Sequence, residues 1–453
     1  MKIGLCGALA NNMYILAKAL AEDARSEVMF IRERSDAYPF SQPCWDDVDA
    51  TLTREQVHDA AVWFWADWNM FEADHDWQPP PWHVDPLNYH ARVRGTPPMR
   101  RIDDEELGEN IGLRLLRGNP SWVTTIAKMQ ENDFLVVCGV PATIMAWLSG
   151  KPFAIFPHGS DMRQAAGLNR HAGGQVEKQS PQYQSHRILR KAYLDAEFIM
   201  AGMPNVGGGH LGDPLALLPE LRLEHVPTPM WKLWQEPLTK DAKREMLTEL
   251  CGRFGVDCPK SEYVAFVPSR LDITWKGHDR LIHAIAELAQ SERSKIHFLF
   301  TGWGKDRERL IDVAPPGMGT FLPVAFSKRI MFRWLSACDF VVDQFLMGEY
   351  GSSAPESMSV GTPVMMRIND SLFRCRGWEP PPVINACSSR DIAESLSDIA
   401  SGSIDLAAKG VEGLAWAQRV HSPEVVVNNL MAAIEGAHAT CNVPDTEACQ
   451  ASL

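Results

Sequence analysis

No stretch of this 453-residue chain approaches the ~20 consecutive apolar residues that a membrane-crossing helix requires. Its ten cysteines include no Cys-x-x-Cys pair. The usual zinc spacings and a disulfide framework are therefore not expected. Cys138 and Cys338 lie in or beside apolar runs, so we read the thiols as mostly buried and reduced, in keeping with a cytoplasmic protein. A basic surplus is also missing. The 44 lysines and arginines against 57 aspartates and glutamates leave a formal charge of −13, which disfavours broad binding to nucleic acid or anionic lipid. A few focused cations in a cleft would still suffice for a phosphate-bearing substrate. The first residues do not read as a signal peptide. Their apolar run from Ile3 to Ala10 meets Asn11 and Asn12 at once, and no small-residue cleavage site follows.

What the chain does have is length for two cores and an alternation of strand and helix signals, the pattern of parallel α/β domains. Short apolar runs at Ile3–Cys6, Val28–Ile31, Phe134–Cys138, Phe153–Phe156 and Phe198–Met200 form a first series. A second series follows at Val264–Val267, Ile296–Phe300, Phe340–Val342 and Val364–Met366. The Pro-rich stretch His225-Val226-Pro227-Thr228-Pro229 separates them. This predicts two α/β domains, 1–228 and 229–436, with a hinge near 226–260. A last helix is expected over roughly 424–436, then a frayed tail, 437–453.

The segment from about 46 to 110 breaks the alternation. It is acidic, and Trp63, Trp65, Trp68, Trp77 and Trp82 crowd together in it. Thr53 with Gln56 forms a capping-box signal, which predicts a helix over about 54–71; Pro79-Pro80-Pro81 then forces extended chain. The tryptophans suit either stacking against a sugar or packing. His75, His83 and His90 are too irregularly spaced to read as a metal site. Asp74-His75-Asp76 matches the Asp-x-Asp tripeptide of metal-dependent glycosyltransferases, but so short a pattern arises easily by chance.

The second half carries the chemistry. Phe266-Val267-Pro268-Ser269-Arg270-Leu271-Asp272, then Trp275-Lys276-Gly277, reads as a strand, a loop with two cations and a helix start. Arg270 offers a bidentate fork and Lys276 a point charge. After a strand, at the carboxyl edge where open α/β sheets bind ligands, the two can meet a diphosphate. Further on come Phe298-Leu299-Phe300-Thr301-Gly302-Trp303-Gly304, then Asp343-Gln344, Gly348-Glu349-Tyr350-Gly351 and Glu356-Ser357-Met358-Ser359-Val360-Gly361-Thr362-Pro363-Val364. With these motifs, residues 263–435 resemble the retaining GT-B glycosyltransferases of the group-1, family-4 type. That family shows a strand-Gly-Arg-Leu…Lys-Gly segment, a Gly-x-Gly turn and a Glu-rich loop ending Glu-Ala-x-Ala-x-Gly-x-Pro-Val. In the first half the likeness rests on the Gly7 turn and Pro157-His158-Gly159-Ser160-Asp161.

The resemblance implies a fold of two Rossmann-like domains whose parallel sheets face a central cleft. It implies transfer of a sugar from a nucleotide-sugar, UDP- or GDP-linked, to an acceptor hydroxyl, with retention, no obligatory metal and no other cofactor. Arg270 and Lys276 would stabilise the leaving diphosphate. Glu356 would accept from the ribose hydroxyls, although Ser353 to Glu356 also reads as a capping box. Gly351, Ser352 and Ser353 would turn backbone amides to the phosphates, with Gly302 and Gly304 on the donor side and His158 facing the donor sugar. Gly7 allows close approach of a ligand. Asn11 or Asn12 could cap the next helix, Asn11 being placed on the acceptor side. Asp161 either orients an acceptor or caps a turn. One departure stands out: the family's first loop Glu falls on Gly348 here, and Glu349 comes one place late. An epimerase or hydrolase on the same fold, and a nucleotide-sugar-binding pseudoenzyme, are the alternatives. The acceptor and the oligomeric state are left open.

Overall fold

The computed structural model describes residues 1–7, 11–33, 42–53, 71–86, 119–168, 181–204, 214–230 and 236–440. Strands β1 (Lys2–Cys6), β2 (Glu27–Ile31), β3 (Thr51–Thr53), β4 (His83–Val84), β5 (Phe134–Val137), β6 (Phe153–Ile155), β7 (Phe198–Ala201) and β8 (Leu223–His225) belong to the first half. Strands β9 (Tyr263–Val267), β10 (Ile296–Phe300), β11 (Gly319–Phe321), β12 (Val324–Phe326), β13 (Phe340–Val342), β14 (Val364–Met366) and β15 (Ile384–Asn385) follow. Every apolar run read from the sequence is a strand. Such runs are continuous because helices cover both faces of a parallel sheet; Phe134, Leu135, Val136 and Val137 are all fully buried.

The first sheet has the order β4-β2-β1-β5-β6-β7-β8 and the second β11-β10-β9-β13-β14-β15. Neighbours in both run parallel, for example Ile3 beside Val28 and Phe134, and Val341 beside Phe266 and Val364. The strand order reverses between β1 and β5 in one sheet and between β9 and β13 in the other. In open α/β sheets, ligands bind outside the carboxyl ends of the strands at such switch points.

Several contacts among the described residues join the halves. Strand β3 stands apart from the first sheet and pairs antiparallel with β12, Leu52 opposite Ala325, and Ser327 N donates to Ala50 O at 2.8 Å. Tyr350 Oη donates to Gly202 O at 2.6 Å. The last helix, Pro423–Thr440, continues beyond its expected end at 436 and crosses back onto the first sheet. Its Val426, Leu430 and Ile434 join the core around Ile3, Leu5 and Leu16.

Most of the helix expected over 54–71 lies outside the described residues, with Trp63, Trp65, Trp68 and His90. The tryptophans that are described pack. Trp77 is buried and donates Nε1 to Asp47 Oδ2 at 3.0 Å, and Trp82 lies against the same core.

Candidate functional site

At the second switch point the loop after β9 meets the loop after β13. Lys276 ends a one-turn helix, Ile273–Lys276, capped by Asp272, whose Oδ1 accepts from Trp275 N at 3.1 Å. Its ammonium lies 3.1 Å from Oδ1 of Asp343, a wholly buried carboxylate. A Cβ placed on Gly351 would stand only 3.6 Å from Lys276 Nζ. Gly351 therefore lies directly against the cation. Arg270 is held differently. Its guanidinium is half exposed, with Nε 3.6 Å from Asp272 Oδ2. The loop is anchored beneath by His278, a residue the sequence did not single out. Burial, with Lys276 nearby, pushes this imidazole down to about 4, so it is neutral at ordinary pH. Its Nδ1 accepts from Asp272 N at 3.2 Å.

Between the sheets lie two adjoining cavities of about 310 and 200 Å³. Asn12, Thr228, Met230 and Ser352 line both. Glu356 belongs to the larger, and His158 and Gly351 to the smaller. Thus Glu356, Gly351, Ser352 and His158 are brought together across the cleft, with Lys276 close by Gly351. Ser353 opens the helix Ser353–Ser359. The capping box expected from Ser353 to Glu356 does not form, because Glu356, 4% exposed, takes Lys328 as its partner instead. Lys328 was invisible to the motif reading. It opens the helix Lys328–Ala337, distant in sequence and brought alongside by β12.

Glu349 is 1% exposed, and its backbone carbonyl accepts from Gln344 Nε2. Gly348 before it has φ +75°. A glutamate at 348 would be strained in that left-handed backbone, which gives a physical reason for glycine there and for the carboxylate one residue on.

In the first domain His158 directs Nε2 at Cys138 Sγ at the end of β5. Asp161 is buried, and its Oδ1 accepts from His158 N at 2.8 Å and Met162 N at 2.9 Å. This carboxylate caps the turn that carries His158. Asn11 does not face the cleft. It is 2% exposed with φ 56°, and Nδ2 donates to Gln42 O at 2.6 Å. Its neighbour Asn12 lines the cleft instead, and Asn11 makes no side-chain cap to the helix Asn12–Ala21.

The glycines of the expected phosphate turns are used for close packing. A Cβ on Gly7 would meet Cys138 O at 2.3 Å, one on Gly304 would meet Leu271 N at 2.2 Å, and one on Gly302 would meet Leu322 O at 2.5 Å. These contacts bring neighbouring strand ends together around each switch point. Asp74, His75 and Asp76 are exposed on the surface. Among the described residues no group of three or more His, Cys, Asp or Glu is placed to hold a metal ion, and no helix is long and apolar enough to cross a membrane.

No protein-family model and no curated protein sequence matches the chain. Solved structures do. The Anabaena protein Alr3699/HepE in complex with UDP and glucose superposes with a TM-score of 0.58 at 12% identity, over 96% of this chain and 100% of its own. Sucrose-phosphate synthase from Thermosynechococcus elongatus gives 0.58 at 14% identity, over 97% and 100%. A putative UDP-N-acetylglucosamine 2-epimerase from Listeria monocytogenes gives 0.50 at 13%, over 97% of each chain. The fold is GT-B: two Rossmann-like domains, each with a parallel sheet, facing a cleft.

Proposed function

We propose that the chain is a hexosyltransferase that moves a sugar from a nucleotide-sugar to an acceptor hydroxyl with retention of configuration. One observation carries the reading: at the switch point of the second sheet, Gly351, Ser352 and Glu356 line cavities closed from the other side by His158 and Asn12, and the Lys276 ammonium lies close by Gly351. Residues 229–436 bind the donor and 1–228 receive the acceptor. Lys276 and Arg270 meet the diphosphate, Glu356 accepts from the ribose and His158 faces the sugar. Retention is supported by the likeness of residues 263–435 to retaining enzymes. A UDP-sugar is the first donor to try, since the Anabaena protein of the same fold binds UDP; GDP-sugars follow from the family likeness alone.

In this reading the developing negative charge is met by side chains and backbone amides. Activity is therefore expected to survive EDTA at full rate in a coupled assay of nucleoside-diphosphate release. Loss on chelation, with recovery on adding Mn²⁺ or Mg²⁺, would overturn the metal-independent assignment.

A further inference from the structure

Tyr350 stands between Glu349 and Gly351 in the site loop, and the reaction proposed above gives it no task. Its ring belongs to the second domain. It stacks on Phe373 at 5.9 Å between ring centres and meets Trp416 edge-on at 5.5 Å, within the core around Phe266 and Leu335. Its hydroxyl reaches the other half. Oη donates to Gly202 O at 2.6 Å, just past the end of β7. Burial, with the Glu349 carboxylate beside it, holds the phenol above its ordinary range, so it remains a donor at any ordinary pH.

Gly202 is tied to the place where the chain passes from one domain to the other. A Cβ on it would stand 3.2 Å from Cα of Pro227, in the Pro-rich stretch between the two halves. The adjoining Thr228 O accepts from His421 Nδ1 at 2.8 Å, and Met230 N donates to His421 O at 2.8 Å. A carbonyl oxygen only accepts, so Nδ1 carries the proton. Burial pushes this imidazole down to about 4, and it is neutral at ordinary pH. His421 ends the helix Leu406–His421, just before the last helix returns to the first sheet. Its ring lies 5.7 Å from that of Tyr350, edge to face. The outgoing and returning crossings of the chain therefore meet beside Tyr350, and a rotation of one domain on the other about them moves Gly202 O.

On the site side, Tyr350 is followed at once by Gly351, which lies against the Lys276 ammonium, and by Ser352. The start of the loop is fixed to the second domain: Asn369 N donates to Gly348 O at 2.9 Å, and Met347 N to Gln344 Oε1 at 2.8 Å. Resting on the donor-site reading, we propose that Tyr350 is a positioning residue whose hydroxyl couples Gly351 and Ser352 to the first domain, setting them for the diphosphate when the two domains stand as they do here. The bond adds little to the affinity for a free nucleotide, which the second domain holds by itself. It acts on the full donor, whose sugar must also be placed against His158 of the first domain.

The test compares Tyr350→Phe with the wild type, since phenylalanine keeps the ring and removes the hydroxyl. UDP and GDP are titrated calorimetrically, and turnover of UDP- and GDP-sugars is followed. Nucleotide affinity should stay within about twofold of wild type, while kcat falls about three- to tenfold, the worth of one hydrogen bond. Amides of residues 349–353 should exchange faster with deuterium in the variant. A bond that served stability alone would lower the melting temperature and leave kcat unchanged. Gly202→Ala, whose methyl would press on Pro227, shifts the same carbonyl from the first domain and should lower kcat likewise; it serves if Tyr350→Phe does not fold. Unchanged kcat in both variants, or nucleotide affinity falling as far as kcat, would overturn the proposal and leave the donor site standing. Failure of the wild type to bind either nucleotide or to cleave any of these donors would instead sink the donor-site reading itself.

Discussion

Arg270→Ala is expected to lower turnover by roughly a hundredfold or more, and Lys276→Gln by at least as much, with the fold intact in both. Fixed cations aimed at charge that grows as the donor bond breaks act on the chemical step, so the loss should appear in kcat. The two variants differ in their structural cost. Arg270 is half exposed and tied to Asp272 at 3.6 Å, so its removal should cost little stability. Lys276 neutralises Asp343, which is wholly buried, and breaking a buried pair by removing one partner costs about 3–5 kcal/mol. Glutamine retains a donor for Asp343 and removes only the charge, which makes it the better probe. Near-normal kcat in both variants, measured well below their melting temperatures, would overturn the diphosphate assignment.

The second large effect separates two carboxylates. Glu356→Gln should weaken free nucleoside diphosphate by about ten- to a hundredfold, since a charge-assisted hydrogen bond is worth roughly 1.5–3 kcal/mol. Lys328, released by this change, can turn to solvent, because its side chain is already 21% exposed. Glu349→Gln should spare that binding and lower turnover of the full sugar donor. The side chain is buried in the loop beside the cleft, where an idle carboxylate would be costly. A Glu349→Gln variant that loses nucleotide affinity as badly as Glu356→Gln would show the two roles to be exchanged.

The sequence was most legible where one physical cause dominates. Runs such as Phe134–Val137 and Val264–Val267 could only be strands buried on both faces, and their two series foretold the two sheets. The short strands were missed for the converse reason. Thr51–Thr53 and Val324–Phe326 pair with each other across the two halves, and His83–Val84 sits half-buried at a sheet edge. None of these carries a pattern of its own. At the site, Lys276, Gly351 and Glu356 could be named because a loop motif holds them in sequence. Lys328 and Asp46 could not, since each reaches the cavity through tertiary contacts that no local spacing records. At Gly7 and Gly304 the positive φ accompanies close packing against Cys138 and Leu271, a use of glycine that the sequence pattern does not distinguish from a phosphate turn.

The central claim is best tested by incubating the protein with a panel of UDP- and GDP-sugars and following both the nucleotide and the sugar by NMR. The account predicts slow release of nucleoside diphosphate from at least one donor, with the anomeric configuration of the donor retained in the first-formed product. Conversion of one sugar into another, or tight binding of every donor with no cleavage at all, would contradict it.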